Sequence, residues 1–246
     1  MLAIAFWRQP IYRLDAREVV GYEWLTRWSG DSTAESLWAW AAHHRQIPAL
    51  EAWILDQLVQ WRLQRRSPAG LWFVNLHPQG IVNTVQSHAE RWQAWLHHLD
   101  PVVWELLEVG GWRSEVLDQL AHWQAACALD DWGDHSGAVT RLVEWPVQWI
   151  KMDGLLTQRL DHPGMRQWLS LIEQYAVRTQ RQVILEGIET GQQLAWAQNL
   201  HIPFGQGFYL ERPRLWKTVA WQPAASSTGA PSIVSRSGLR PELGTD

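Results

Sequence analysis

The chain has little of several features that would quickly narrow its class. Its single cysteine, Cys127, excludes an internal disulfide and a cysteine-rich zinc site. No apolar run approaches the roughly 20 residues needed to cross a bilayer, and Arg8 interrupts the N-terminus too early for a signal peptide. The formal net charge of −4 provides no basic field for nucleic acid. We therefore expect a cytoplasmic protein that binds neither nucleic acid nor membrane.

What the chain does contain is a high hydrophobic fraction, 46% of its 246 residues, and 20 tryptophans. This length suits one (β/α)8 barrel, for which about 250 residues is typical. Tryptophans at helical spacing, such as Trp92 and Trp95, predict a packed shell between helices and barrel, although a few could stack on a base or sugar. From Gln222 the composition turns to Ser, Pro, Gly and Ala. We expect a barrel domain over residues 1–221 and a disordered tail over 222–246.

Short apolar runs alternate with helix-like stretches along the chain. Strands are expected near 71–75, 102–106, 126–130, 148–152, 182–186 and 205–209. Helices are expected near 32–45, 49–65, 85–98, 113–124, 137–144, 155–160 with 163–179, and 190–199. Residues 1–27 resemble two strands joined by a turn, so the barrel should open with an antiparallel strand. The pattern predicts an α/β fold, a (β/α)8-like barrel of the TIM type.

Polar side chains recur directly after these apolar runs. They are Asn75, Glu105, Glu108, Asp130, Asp131, Lys151, Asp153, Glu186 and Glu189. Because the carboxyl ends of the strands of such a barrel meet at one mouth, we expect these side chains to converge there. Many oxygen ligands and one lysine indicate divalent cations and a phosphate-bearing substrate.

Seven segments resemble, in order and spacing, the EAL-domain family. They are EWLTR (23–27), VN (74–75), ELLE (105–108), DDWG (130–133), IKMD (150–153), EGIET (186–190) and GQG (205–207). Members of that family are (β/α)8-like barrels that hydrolyse the bacterial second messenger cyclic di-GMP to linear pGpG with Mg²⁺ or Mn²⁺. The resemblance covers residues 6–215 approximately. It implies a free-standing cyclic-guanylate-specific phosphodiesterase that binds cyclic di-GMP and could form a homodimer or bind a regulatory protein partner.

The resemblance also implies a role for each site residue. The expected metal ligands of a two-metal site are Glu23, Asn75, Glu105, Asp130 and Asp131, with Glu186 beside the second ion. Glu186 is the expected general base, and Lys151 is expected to orient the attacking water or offset developing charge. The expected substrate-binding residues are Arg27 for a phosphate, Gln206 and Glu189. In supporting roles, Glu108 should anchor the loop after the Asp pair and Asp153 should support Lys151.

Departures from the family pattern leave turnover open. The loop after the Asp pair reads WGDHSGAV (132–139), Trp24 replaces a small alanine, and Gly154-Leu155-Leu156 replaces an arginine-serine-aromatic sequence. One alternative is therefore a catalytically silent EAL-type protein that binds cyclic di-GMP or a protein partner as a regulator. Another is a retaining glycosidase, which would use two carboxylates but not the adjacent aspartates and lysine.

Each motif alone also has a structural explanation. Glu23 and Arg27 could form a helical ion pair, and the Asp pair could form a turn. Lys151 and Asp153 could be a surface pair. The residues from Glu186 could cap a helix through Thr190. Their joint occurrence in fixed order favours the functional interpretation.

Overall fold

The computed structural model describes residues 2–29, 35–64, 68–107, 111–133 and 138–223. The strands of the described part are β1 (Leu2–Arg13), β2 (Glu18–Trp28), β3 (Leu71–Leu76), β4 (Val102–Leu107), β5 (Cys127–Trp132), β6 (Trp149–Met152), β7 (Gln182–Leu185), β8 (Phe204–Gly205) and β9 (Arg214–Trp221). The helices are α1 (Glu35–His43), α2 (Ile47–Leu63), α3 (Pro78–Ser87), α4 (Ala89–Leu99), α5 (Ser114–His122), α6 (Ala138–Glu144), α7 (Gly154–Thr157), α8 (Pro163–Arg178) and α9 (Gly191–Asn199).

The first eight strands close into a barrel. Strands β2 to β8 lie side by side in chain order, each parallel to the next, and β1 pairs antiparallel with both β2 and β8. Strand β9 lies outside this closed ring and pairs antiparallel with the first half of β1. The prediction of a (β/α)8-like barrel with an antiparallel first strand is confirmed.

The strand pleat decides which side chains enter the barrel. A buried apolar layer inside it consists of Ile11, Phe73, Val103, Ala128 and Ile184. Side chains of a strand alternate between its two faces, so residues two positions further along point to the same interior. Those positions on β3, β4, β5 and at the end of β7 are Asn75, Glu105, Asp130 and Glu186. The apolar layer is therefore the floor of a polar mouth.

Tryptophans fill the shell between the barrel and its helices, as expected from their spacing. Trp72, Trp92 and Trp104 have no exposed surface. The ring of Trp24 packs against Trp72 at a centroid distance of 4.6 Å and against Trp61 at 5.9 Å. Trp24 and Glu23 are adjacent on β2, so their side chains point to opposite faces of the strand. The Trp24 ring is therefore accommodated in this aromatic shell.

Two parts of the fold differ from the sequence prediction. The single helix predicted over 85–98 is a pair, α3 and α4, and α3 begins at Pro78. The His77 Nδ1 caps it by accepting from the Gln79 N–H at 3.1 Å, and proline suits a first helical turn because it lacks an N–H. Strand β9 was not predicted, since its stability depends on distant pairing with β1.

Among the described residues no helix is long and apolar enough to span a membrane. The predicted tail lies outside the described residues from residue 224 onward.

Candidate active site

The polar side chains predicted at the strand ends meet around one lysine. The Nζ of Lys151, on β6, lies 2.6 Å from Oε1 of Glu105 and 2.6 Å from Oδ1 of Asp130. It also lies 2.9 Å from Oε1 of Glu186 and 3.6 Å from Oε2 of Glu23. The Lys151 side chain is 1% exposed. It is therefore buried at the centre of the mouth, so the surface-pair interpretation is wrong.

Neighbouring strands align these groups through their register. Asn75 on β3 pairs with Glu105 on β4, and the Asn75 Nδ2 donates to Glu105 Oε2 at 2.8 Å. Glu105 is completely buried, with one oxygen near Asn75 and the other near Lys151. A buried carboxylate held in this way is stable only because both contacts compensate for lost hydration.

Burial and mutual repulsion control the protonation of this cluster. Burial raises the pKa of Glu105 well above its usual range against the opposing effect of Lys151, and Glu23 and Asp130 raise it further. Burial likewise raises the pKa of Glu186, with Lys151 opposing and Asp130 adding to the rise. Burial alone would lower the pKa of Lys151, but the surrounding carboxylates together raise it well above its ordinary value. The lysine therefore stays charged, and Glu105 and Glu186 keep their protons to a higher pH than ordinary glutamates do.

Two of the acids that contact Lys151 form a tighter group with Asp131. Single carboxylate oxygens of Asp130, Asp131 and Glu186 all lie within 4.8 Å of one another. Asp131 adopts a left-handed conformation with φ of 51°, which aspartate tolerates better than most residues. The Asp130 carboxylate, followed by burial, raises the pKa of Asp131 from 3.8 to about 7. This spacing could hold a divalent cation.

Two buried glutamines support Glu23. The Gln206 Nε2 donates to Glu23 Oε2 and, at 3.0 Å, to Gln9 Oε1. Gln9 lies directly opposite Glu23 in the β1–β2 ladder, and its Nε2 donates to the Glu211 carbonyl at 3.3 Å. The sequence interpretation missed this role of Gln9. The predicted hairpin supplies the signal, because it places β1 residues beside β2 residues.

The other predicted residues are positioned less uniformly. Arg27 is half-buried on β2, four positions after Glu23, with its guanidinium 5.8 Å from the Trp7 ring centre. Since both residues lie on a strand, the helical-pair interpretation is wrong.

Glu189 is exposed, and its backbone N–H donates to the Gln193 side chain at 2.8 Å. It is not among the described residues that line the mouth, and its role in substrate binding stays a prediction.

Of the two residues predicted in supporting roles, the structure describes Asp153. The Asp153 Oδ1 accepts from the Leu155 N–H at 2.8 Å and caps α7. The four carboxylates near Lys151 in the described structure do not include Asp153, so its expected support of Lys151 is not observed. The carboxylate instead caps α7, the short helix that begins directly after β6. Glu108 lies outside the described residues. Thr190 does cap α9, in a capping box with Gln193.

The mouth is a cavity of about 470 Å³. Its polar wall is formed by Glu23, Asn75, Asp130, Asp131, Lys151 and Glu186, and its lining also includes His77 and Trp38 of α1. These two rings stack with centroids 5.4 Å apart and planes at 29°. Behind them the buried Glu51 accepts from the His77 N–H at 2.5 Å. Burial raises the pKa of Glu51 from 4.5 to about 8 against the effect of that hydrogen bond.

The donor chemistry of the polar wall fits hard divalent cations. Its converging groups are carboxylates and one amide, the oxygen ligands that Mg²⁺ and Mn²⁺ prefer. The clustered oxygens of Asp130, Asp131 and Glu186 show that such groups come close enough to share an ion. The raised pKa values of Glu105 and Glu186 fit as well, since a cation would replace the protons that they otherwise retain.

Comparison with known proteins places this barrel in a class. The family model of the EAL domain matches residues 3–213, and the chain belongs to that family. This assignment decides against the retaining glycosidase.

Curated relatives and solved structures agree with the assignment. "Probable cyclic di-GMP phosphodiesterase PdeN" of Escherichia coli K12 is 24% identical over 230 residues, which cover 83% of this chain and 42% of PdeN. Cyclic di-GMP phosphodiesterase RocR of Pseudomonas aeruginosa is 26% identical over 227 residues, which cover 83% of this chain and 56% of RocR. The chain thus spans about half the length of these relatives. A standalone EAL protein of Vibrio cholerae O395, solved in its c-di-GMP bound form, has the same fold, with a TM-score of 0.72, 16% identity, and coverage of 86% of this chain and 92% of that chain.

Proposed function

We propose that this protein hydrolyses cyclic di-GMP to linear pGpG with Mg²⁺ or Mn²⁺. The observation that carries the proposal is the convergence of Glu23, Glu105, Asp130 and Glu186 on Lys151 at the mouth of an EAL barrel. A structural ion pair needs one acid for one lysine. A surplus of buried acids suits a site whose additional positive charge is supplied by bound cations.

The ligands of two cations would come from both acid groups. Glu23, Asn75, Glu105 and Asp130 would hold one ion, and Asp130, Asp131 and Glu186 would hold the other. Divalent cations, when bound, acidify water and offset negative charge on a phosphate. The register between Asn75 and Glu105 and the hydrogen bond of Gln206 to Glu23 support this assignment, because they hold the donors before any ion arrives.

Hydrolysis to pGpG requires that water attack phosphorus and that the bond from phosphorus to the 3′ oxygen break. Glu186 would accept the proton of the attacking water. Its position supports this role, because one carboxylate oxygen lies 2.9 Å from the Lys151 Nζ and an oxygen lies within 4.8 Å of the Asp130 and Asp131 carboxylates. The departing 3′ oxygen takes up a proton. Lys151 would stabilise the charge that develops on the phosphate, since its ammonium stays protonated and lies 2.9 Å from Glu186.

Substrate binding would use the residues around this centre. Arg27 lies on the same strand as Glu23, and its planar guanidinium suits a phosphate. For Gln206 we propose a positioning role, since its amide donates to Glu23 and Gln9.

A homodimer contact would suit the exposed α6 residues Val139 and Val143, which lie one helical turn apart. Light scattering of the purified protein would test this.

The test is chromatography of cyclic di-GMP incubated with the purified protein and Mg²⁺ or Mn²⁺. We expect metal-dependent pGpG from the wild type and none from Glu186→Ala. Folded wild type that forms no product with either metal would contradict the proposal. The alternative, suggested by the altered loop at 132–139, is a catalytically silent regulator. Binding of intact cyclic di-GMP, measured by calorimetry, would then support this alternative.

A further inference from the structure

The stacked rings of Trp38 and His77 have no part in the chemistry proposed above, yet they form a wall of the same cavity. His77 follows Asn75 by two residues at the end of β3, so this wall begins beside the expected phosphate-binding centre. We propose that the Trp38–His77 pair is the stacking surface for a purine base of the substrate and sets its affinity. This inference rests on the proposed function and assigns specificity residues to it.

The His77 ring is held in place by its neighbours. Its Nδ1 accepts from the Gln79 N–H at 3.1 Å, which places the ring proton on Nε2. Its backbone N–H is bound by the buried carboxyl of Glu51 at 2.5 Å. A ring fixed at both its backbone and its Nδ1 loses little freedom when a ligand stacks on it.

Trp38 supplies the larger surface. It is half-buried, and it belongs to the described residues that line the cavity together with Asn75, Asp130 and Lys151. A purine adds a third ring system to such a stack, and every purine offers a flat π face and an acceptor at N7. Because the acids and Trp38 line the same cavity, one nucleotide could place its phosphate at the acids and its base on the ring.

The same helix provides a matched control. Trp40 also stacks on a histidine, His44, with centroids 4.2 Å apart and planes at 21°. The described residues that line the cavity do not include Trp40. Loss of the Trp40 ring therefore reports the effect of removing a tryptophan–histidine stack from α1 without touching the cavity.

The test measures cyclic di-GMP binding by calorimetry with Mg²⁺, in a Glu186→Ala background so that the ligand is not consumed. Trp38→Leu should raise the Kd about tenfold, as expected for loss of one base stack. His77→Asn, which keeps a helix-capping side chain but loses the ring, should also weaken binding. Trp38→Phe should restore most of the affinity, and Trp40→Leu should bind as tightly as the background protein. Thermal melting of each variant checks that it is folded.

A kinetic readout separates the base from the phosphate. In otherwise wild-type protein, Trp38→Leu should raise the KM for cyclic di-GMP by a larger factor than it lowers kcat, whereas Trp40→Leu should change neither constant. An unchanged Kd in Trp38→Leu, or an equal loss in Trp40→Leu, would overturn the inference. Wild type that binds cyclic di-GMP without hydrolysing it would refute only the proposed enzyme activity, because the binding comparison still decides the role of Trp38.

Discussion

The ammonium nitrogen of Lys151 lies 2.6 Å from a carboxylate oxygen of Glu105, and neither side chain is more than 1% exposed. Three further carboxylates surround the same ammonium. The positive charge of this lysine holds the acids together. A single buried side chain thus keeps four carboxylates close to one another.

Replacement of Lys151 by methionine should destabilise the metal-free protein. The buried carboxylates would lose their counter-charge, and breaking a buried ion pair on one side costs about 3–5 kcal/mol. Chemical denaturation with chelator present measures this loss. Adding Mn²⁺ should stabilise Lys151→Met more than the wild type, because the ion takes over the neutralising role. Lys217→Met, at an exposed position on β9, is the control, and equal stability of the two variants would contradict the prediction.

The Gln9 side chain should matter for metal binding although it is not an expected ligand. Gln9→Leu removes the acceptor that holds Gln206, and Gln206 in turn donates to Glu23. Loss of such an outer hydrogen bond lowers metal affinity about 10–100-fold. We expect the Mn²⁺ concentration for half-maximal activity to rise about tenfold or more. Gln198→Leu removes a glutamine that binds the Leu14 carbonyl at 2.7 Å, away from the acids, and should leave it unchanged.

Glu51 should make stability depend on pH. Its pKa is raised from 4.5 to about 8 in the folded protein, so the folded state retains a proton that the unfolded state has lost. The stability contribution is complete below pH 4.5 and is lost as pH rises to about 8, on the order of 5 kcal/mol in total.

The test is unfolding of Glu51→Gln and wild type from pH 5 to 8. Glutamine keeps an oxygen for the His77 N–H but does not titrate, so its stability should decline less with pH. The exposed Glu90→Gln should follow the wild type. Parallel curves for Glu51→Gln and the wild type would show that the carboxyl is already ionised at pH 5.

The glycine after Glu186 should not tolerate a side chain. Gly187 has φ of 65°, and a Cβ there would lie 2.8 Å from the Cα of Gly154. Gly187→Ala should reduce both kcat and the denaturation midpoint, since the backbone carrying Glu186 must shift. Gly111 has nearly the same φ, 64°, with nothing within 4 Å of the added Cβ. Gly111→Ala should therefore show only the conformational cost, about 1 kcal/mol, and full activity.

The sequence predicted the barrel and most of the mouth because both follow from local patterns. Apolar runs marked β3 to β7, and their position directly after such runs marked Asn75, Glu105 and Asp130 as residues of the mouth. Strand β9 escaped prediction, since its pattern is mostly exposed and only its pairing with β1 makes it a strand. Gln9 escaped for the same reason, as its role depends on a contact with Gln206.

Local context also explains the residues whose expected roles were not observed. Asp153 precedes a short helix that needs a cap, and its carboxylate accepts the N–H of Leu155. Glu189 precedes Thr190, which caps α9, and its side chain is exposed. A resemblance transfers a residue type to a position, but the direction of the side chain depends on these nearby hydrogen bonds.

The most direct test of the central claim is the mass of the product formed from cyclic di-GMP in ¹⁸O-labelled water. Protein stripped with chelator and reloaded with Mn²⁺ should yield pGpG carrying one heavy oxygen on its terminal phosphate. The stripped protein and Glu186→Ala should leave the substrate intact. Recovery of unchanged cyclic di-GMP from folded, Mn²⁺-loaded wild type would contradict the account.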